Sequence, residues 1–204
     1  IGFEAPGPEA LGDRIDAVTQ AIYAAYTTGW EMEDPAGGDL VAGLAGEAVH
    51  LAQLLAGLAP GAAAPKALLA LMLHCEARRP ARRDREGRFT PLSEQDPALW
   101  DRAMVHEAEA WLTAALAIEP PGRFALEAAI QSVHAARART GRTDWPALVE
   151  LYDRLARAGG GIGARLAQAA ALGEAHGPAA GLDALAALEA QAADRLEDHQ
   201  PYWA

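Results

Sequence analysis

The chain has 204 residues, 51% of them hydrophobic, and 28 acidic against 17 basic side chains leave a net charge of −11. That length suits one domain, or one with a small extension, and can bury a sizeable core, while the charge excludes a nucleic-acid surface, which needs clustered Lys and Arg. An Ala-, Leu-, Glu- and Arg-rich composition favours an all-α fold, and the single cysteine, Cys75, excludes an internal disulfide and fits a reducing compartment.

No apolar stretch approaches the roughly 18 residues needed to cross a bilayer; the longest lies between Lys66 and Glu76. The first residue is Ile1 rather than Met, so the chain is read as a fragment or a processed product. Ile1 to Pro8 is an extended lead-in. Leu11, Ile15, Val18, Ile22 and Tyr26 recur at helical spacing and predict a first helix ended by Gly29-Trp30. The acidic loop with Glu31, Glu33, Asp34 and Pro35 follows. Asp39 is the expected cap of a second helix with Leu40, Leu44, Ala48, Leu51, Leu55 and Leu58 as its apolar positions, stopped by Pro60-Gly61.

The third helix is the centre of the pattern. Ala67 to Leu73 is apolar on every face, which predicts a helix surrounded by others. It ends before Pro80, which cannot continue a helix and biases Arg79 away from helical geometry. Residues 80–95 are read as a short hairpin or loop, with a turn at Asp84 to Gly87 and Arg88-Phe89-Thr90 pairing with the residues before it. Asp96 before Pro97 predicts a capped fourth helix from Pro97 to about Ile118, with Trp100, Met104, Ala108, Trp111 and Ala115 on one face. Pro120-Pro121-Gly122 closes it. A fifth helix is expected from Phe124 to about Arg139 and a sixth from Thr143-Asp144-Trp145-Pro146, carrying Leu148, Leu151, Tyr152 and Leu155. The total is about eight helices.

Residues able to carry chemistry are few. His74-Cys75-Glu76 are adjacent, but helical neighbours point about 100° apart and cannot share one ion. His106-Glu107 lacks the second His of a zinc-protease motif. Gly159-Gly160-Gly161-Ile162-Gly163 follows no strand and lacks the Lys of a phosphate loop, so it reads as an inter-helix loop. The basic concentration is Arg78, Arg79, Arg82, Arg83, Arg85 and Arg88, which reads either as a solvated loop or as a docking patch for an acidic surface. The tryptophans, Trp30, Trp100, Trp111, Trp145 and Trp203, read as packing residues.

A 34-residue period links Leu148 and Leu151 to Leu182 and Leu185, the spacing of tetratricopeptide-type helix pairs. Several segments then carry a resemblance in order: Leu11 through Tyr23, Leu68 to Leu73 with Glu76-Ala77-Arg78-Arg79, Gln95-Asp96 with Trp100-Asp101, Thr143-Asp144-Trp145 with Leu151-Tyr152-Asp153, and Glu174 to Leu182. On these the chain resembles the C-terminal helical, tetratricopeptide-like extension of bacterial extracytoplasmic-function sigma factors. It departs from them at Tyr26-Thr27-Thr28-Gly29-Trp30, where that group has Phe-Asn-Glu-Gly-Tyr.

The resemblance implies an N-terminal helical part over 1–120 followed by tetratricopeptide-like pairs over 121–204. It also implies a cytoplasmic, non-enzymatic regulatory role in transcription initiation, without cofactor, metal or membrane. The implied partners are the sigma-factor DNA-binding regions of the same protein and RNA polymerase, with no direct nucleic-acid contact by this chain. The alternative is a ligand-sensing all-helical domain with a small molecule between the first four helices and the repeats.

The residues expected to matter are Arg78, Arg79, Arg82, Arg83, Gln95, Asp96, Trp100 and Asp101. At least one of Arg78 and Arg79 is expected to hydrogen-bond Asp96 or Asp101. The C-terminal stripe Leu182, Leu185, Leu188, Ala192 and Leu196 is expected to be covered, either in a homodimer or by a neighbouring helix.

Overall fold

The computed structural model describes residue 7, residues 10–31 and residues 39–196; for residues 31, 39–42 and 193–196 it describes the helical backbone. Expectations on Ile1 to Pro6, Glu33, Asp34, the Asp39 cap, the Leu40 and Leu196 side chains and Trp203 lie outside what is described. Among the described residues the fold is all-α. Eight helices have 13 residues or more: α1 (Leu11–Glu31), α2 (Asp39–Leu58), α3 (Ala63–Ala77), α4 (Arg102–Leu116), α5 (Arg123–Ala135), α7 (Trp145–Arg157), α8 (Gly161–His176) and α9 (Pro178–Leu196). A single turn, α6 (Arg137–Thr140), stands between α5 and α7. The chain divides into two compact units, Ile1–Ala128 and Ala129–Ala204.

In the first unit α3 is buried along most of its length, with Leu68, Leu69, Ala70 and Met72 at zero exposure. It packs against α1, α2 and α4. Lys66 is buried within this apolar helix because its Nζ donates to the Pro60 carbonyl at 2.7 Å and to those of Ala59 and Ala62 at 3.3 and 3.4 Å. Those carbonyls follow the end of α2, which has no basic residue in its own last turn. The ammonium thus supplies, from the next helix, the positive charge a helix C-terminus favours.

α1 runs to Glu31, one residue past the expected end at Gly29-Trp30. Gly29 is there for close approach: a Cβ on it would lie 2.6 Å from the Ala45 backbone nitrogen of α2. The inward face of α2 is correspondingly made of small residues, Ala45, Ala48, Ala52 and Ala56, all nearly inaccessible. Leu51 and Leu58, expected inside, are exposed, Leu58 by 82%. A helix rich in both Ala and Leu offers more than one apolar face, and here backbone proximity selects the alanine one.

The 80–95 segment is a short hairpin-like loop. Arg83 and Phe89 form an isolated antiparallel bridge, supported by Thr90 N–H donating to the Arg82 carbonyl at 2.8 Å and Asp84 N–H to that of Arg88 at 2.9 Å. The expected fourth helix divides in two. Pro97–Leu99 is a separate 3-10 turn capped by Asp96, Trp100 is extended (φ −77°, ψ 137°), and α4 begins at Arg102 with Asp101 as its cap. Two successive Asp caps start two helical segments where one was expected.

In the second unit α7 packs on α8 and α8 on α9, each helix on its neighbour in sequence, the order found in stacked helix pairs. Asp144 caps α7 by accepting from Ala147 N–H at 3.1 Å. Gly181 lets α9 approach α8, since a Cβ there would meet the Ala169 carbonyl at 3.0 Å. The C-terminal stripe is covered in part: Leu188 is buried with Leu166, and Leu185 and Ala192 pack against them. Leu182, one period after the fully buried Leu148, remains 64% exposed.

Candidate functional site

The C-terminal end of α3 meets the C-terminal end of α1, and an arginine-rich turn wraps the junction. Tyr26 and Trp30 are one helical turn apart on α1, so their rings share a face and stack at 5.6 Å with 29° between planes. Tyr26 Oη donates to Glu76 Oε1 at 3.0 Å. Arg79, three residues on from Glu76, donates to both carboxylate oxygens, from Nε at 2.6 Å and from Nη2 at 2.7 Å. This is the bidentate fork for which a guanidinium is shaped.

Arg82 completes the junction. Its guanidinium carbon lies 4.0 Å from the centre of the Trp30 ring, and that of Arg79 lies 5.2 Å from it. Arg82 Nη1 also donates to the Trp30 carbonyl at 3.3 Å. α1 has no basic residue in its last turn, so Arg82 does for α1 what Lys66 does for α2. Burial raises the Glu76 carboxyl above its ordinary range, against the Tyr26 hydrogen bond and the Arg82 charge, which lower it. Burial likewise lifts the Tyr26 phenol well above its ordinary value, helped by Cys75 and Glu76. The Cys75 thiol is raised by burial although Arg78, whose Nη2 lies 3.9 Å from Sγ, pulls it down.

The expected residues separate into three positions. Arg79 and Arg82 belong to the junction. Arg83 belongs to the exposed hairpin, its Nη1 donating to the Gly87 carbonyl at 2.8 Å. Gln95 and Trp100 are buried at the base of the 80–100 segment, where Gln95 Nε2 donates to the Thr90 carbonyl at 3.1 Å. Asp101 N–H donates to the Ala77 carbonyl at 2.9 Å, which ties the start of α4 to the end of α3.

The expected arginine–aspartate bond is corrected. The Asp96 carboxylate accepts from Ala98 N–H at 2.9 Å and that of Asp101 from Met104 N–H at 3.0 Å, while Arg79 takes Glu76. A carboxylate already committed to a helix cap points at backbone amides, and Glu76, three residues before Arg79 at the end of α3, takes the guanidinium. Sequence reasoning left out Tyr26, Trp30 and Glu76. The i,i+4 spacing of Tyr26 and Trp30 and the i,i+3 spacing of Glu76 and Arg79 were the available signals.

One further polar group stands in the same unit. His74 on α3 is 1% exposed, and neither ring nitrogen meets a hydrogen-bond partner among the described residues. Its Nε2 lies 3.6 Å from Glu109 Oε1 on α4. That distance would make an ion pair of a protonated ring, but burial and the nearby Arg78 lower its pKa to about 4, so it is neutral at pH 7 and the contact is not an ion pair there. Among the described residues no three His, Cys, Asp or Glu side chains are placed to hold a metal ion, and no helix is long and apolar enough to cross a membrane.

With this geometry in view, comparison with known proteins gives two matches. A family of unknown function (DUF6596) matches residues 14–116, just over half of the chain and the part that contains the junction and the hairpin. An uncharacterized protein of Rhizobium meliloti (strain 1021) is 35% identical over 183 residues, covering 89% of this chain and 43% of its own length. The chain therefore spans less than half the length of that relative. No solved structure matches.

Proposed function

The chain belongs to the DUF6596 family, a family of unknown function, and on that premise we propose that it is the regulatory, protein-interaction part of a bacterial extracytoplasmic-function sigma factor. It acts in the cytoplasm, without catalysis, on the sigma regions of its own protein or on RNA polymerase. The observation that carries the reading is the modular match: almost all of this chain corresponds to less than half of a longer relative. A module carried within a longer chain suits a regulatory tail.

The chemistry of the junction is in keeping with this. Glu76, Tyr26, Arg79 and Arg82 engage one another and the end of α1, an arrangement that holds a surface in place rather than one that offers a base or nucleophile to a substrate. For the small-molecule alternative, the cavity beside Phe124 in the first unit, lined by Ala63, Ala67, Pro120 and Arg123, is about 60 Å³, below the roughly 300–1,000 Å³ of ordinary ligand pockets, whereas an open cavity in the second unit, lined by Ile162, Arg165, Leu188 and Gln191, is about 430 Å³.

The test mixes the purified 204-residue chain separately with core RNA polymerase and with the promoter-binding regions of the protein that carries it. A complex with either on gel filtration is the expected result. Failure to bind both overturns the reading.

A further inference from the structure

Six of the seventeen basic residues of this acidic chain fall between Arg78 and Arg88, and the fold divides them by direction. Arg79 and Arg82 turn inward and fasten the segment to α1 and α3. Arg83, Arg85 and Arg88 lie on the exposed hairpin, Arg88 with 75% of its side chain accessible.

The hairpin is stiffened from within by Asp84. Its Oδ1 accepts from Glu86 N–H at 3.0 Å and Arg88 N–H at 2.9 Å, and its Oδ2 from Arg88 Nε at 2.7 Å. Phe89 stands 63% exposed beside these arginines. The 3-10 turn that carries Leu99, 53% exposed, packs against the Arg79–Ala81 turn at the hairpin base. An exposed aromatic ring with arginines around it, on a loop ordered before any partner arrives, is the composition and stiffness of a binding hot spot.

We infer that the 83–89 hairpin is the docking element of this chain for an acidic surface of core RNA polymerase, with Phe89 as the apolar anchor and Arg85 and its neighbours as the charged rim. This rests on the functional reading above. Of the two partners in that reading, the promoter-binding regions must meet DNA phosphates and so carry clustered Lys and Arg, which repel an arginine-rich hairpin. The polymerase is the partner left. DNA is disfavoured because Asp84 and Glu86 lie within the patch and the chain as a whole is at −11.

The experiment measures binding of the intact 204-residue chain to core RNA polymerase at two salt concentrations, for the parent and for Arg85→Glu and Phe89→Ser. Arg88 is left in place because it closes the Asp84 loop. Parallel arms use the promoter-binding regions and a random duplex DNA, and Arg85→Lys serves as the conservative control. The expected result is polymerase binding that weakens with salt, falls at least tenfold in Arg85→Glu and in Phe89→Ser, and is kept in Arg85→Lys, with far-UV circular dichroism unchanged throughout. Polymerase binding that neither variant alters overturns the hairpin and leaves the sigma-factor reading standing. So does binding to the promoter-binding regions alone. Tighter, salt-steep binding to the duplex also overturns the hairpin assignment, and binding to none of the three overturns both readings.

Discussion

Arg82 grips Trp30 twice: its guanidinium carbon lies 4.0 Å from the centre of the indole and its Nη1 reaches the same residue's carbonyl oxygen at 3.3 Å. One side chain therefore covers an aromatic face and satisfies the end of α1. Arg82→Ala loses a half-buried cation–π contact of about 0.5–2 kcal/mol and a charge-assisted bond to a helix terminus of about 1 kcal/mol. We expect about 1.5–3 kcal/mol of destabilisation in urea unfolding, partly restored by Arg82→Lys, which keeps the charge and loses the planar stack. A variant within a few tenths of a kcal/mol of the parent would contradict the anchoring role.

The arginine–carboxylate pairs Arg79–Glu76 and Arg88–Asp84 both have short contacts and should differ in weight. Arg79–Glu76 is largely enclosed, with 29% and 15% of the side chains exposed, whereas Arg88 in the Arg88–Asp84 pair is 75% exposed. Glu76→Ala removes the carboxylate shared by Arg79 and the Tyr26 hydroxyl, so about 2–3 kcal/mol is expected, below the ~3–5 kcal/mol of a fully buried pair. Arg88→Ala should cost about 1 kcal/mol or less. Equal losses, read from chemical denaturation of the two variants, would refute the ordering.

His74 makes the first unit acid-sensitive. Its pKa in the fold, about 4, is below the ordinary 6.5 because burial, and then Arg78, disfavour the charged ring, while Glu109 faces it from α4. The unfolded chain binds the proton first, so this contribution is present above pH 6.5 and is lost as pH falls towards 4. At about 1.4 kcal/mol per pKa unit the full loss is roughly 3 kcal/mol. Stability measured against pH should slope through that window in the parent and flatten in His74→Leu; an identical slope in both would rule the assignment out.

Gly29 and Gly46 predict opposite responses to the same substitution. Alanine in place of an exposed helical glycine normally stabilises by about 0.5–1 kcal/mol, and Gly46, with open space where its Cβ would stand, should do so. At Gly29 the new Cβ would sit 2.6 Å from the Ala45 nitrogen, so α1 and α2 must separate. That overpacking is expected to cost about 1–3 kcal/mol or more. A shift of melting temperature in the same direction for both would show that the two helices are not in close contact.

What could be read from the residues alone was local. The buried α3, the Asp96 cap, the helix start at Thr143 to Pro146 and the turn at Asp84 to Gly87 follow from apolar content, cap chemistry and turn residues within a few positions of each other, so no distant neighbour is needed to predict them. The break at Trp100 was hidden because Pro97 and Asp101 each mark a helix start, and the pattern does not say that both are used.

The sequence by itself determined that this chain is all-α, acidic, centred on one buried helix and interrupted by one arginine-rich hairpin. The tertiary structure alone decided which faces and partners are used. It turned α2 inward on its alanines, because Gly29 brings the α1 backbone against Ala45 and leaves no room for leucine. It gave Glu76, rather than Asp96 or Asp101, to Arg79, and sent Arg82 to Trp30, 52 positions away. Periodicity reports how often a face recurs, while the choice among faces and among charge partners depends on distances between segments that only packing sets.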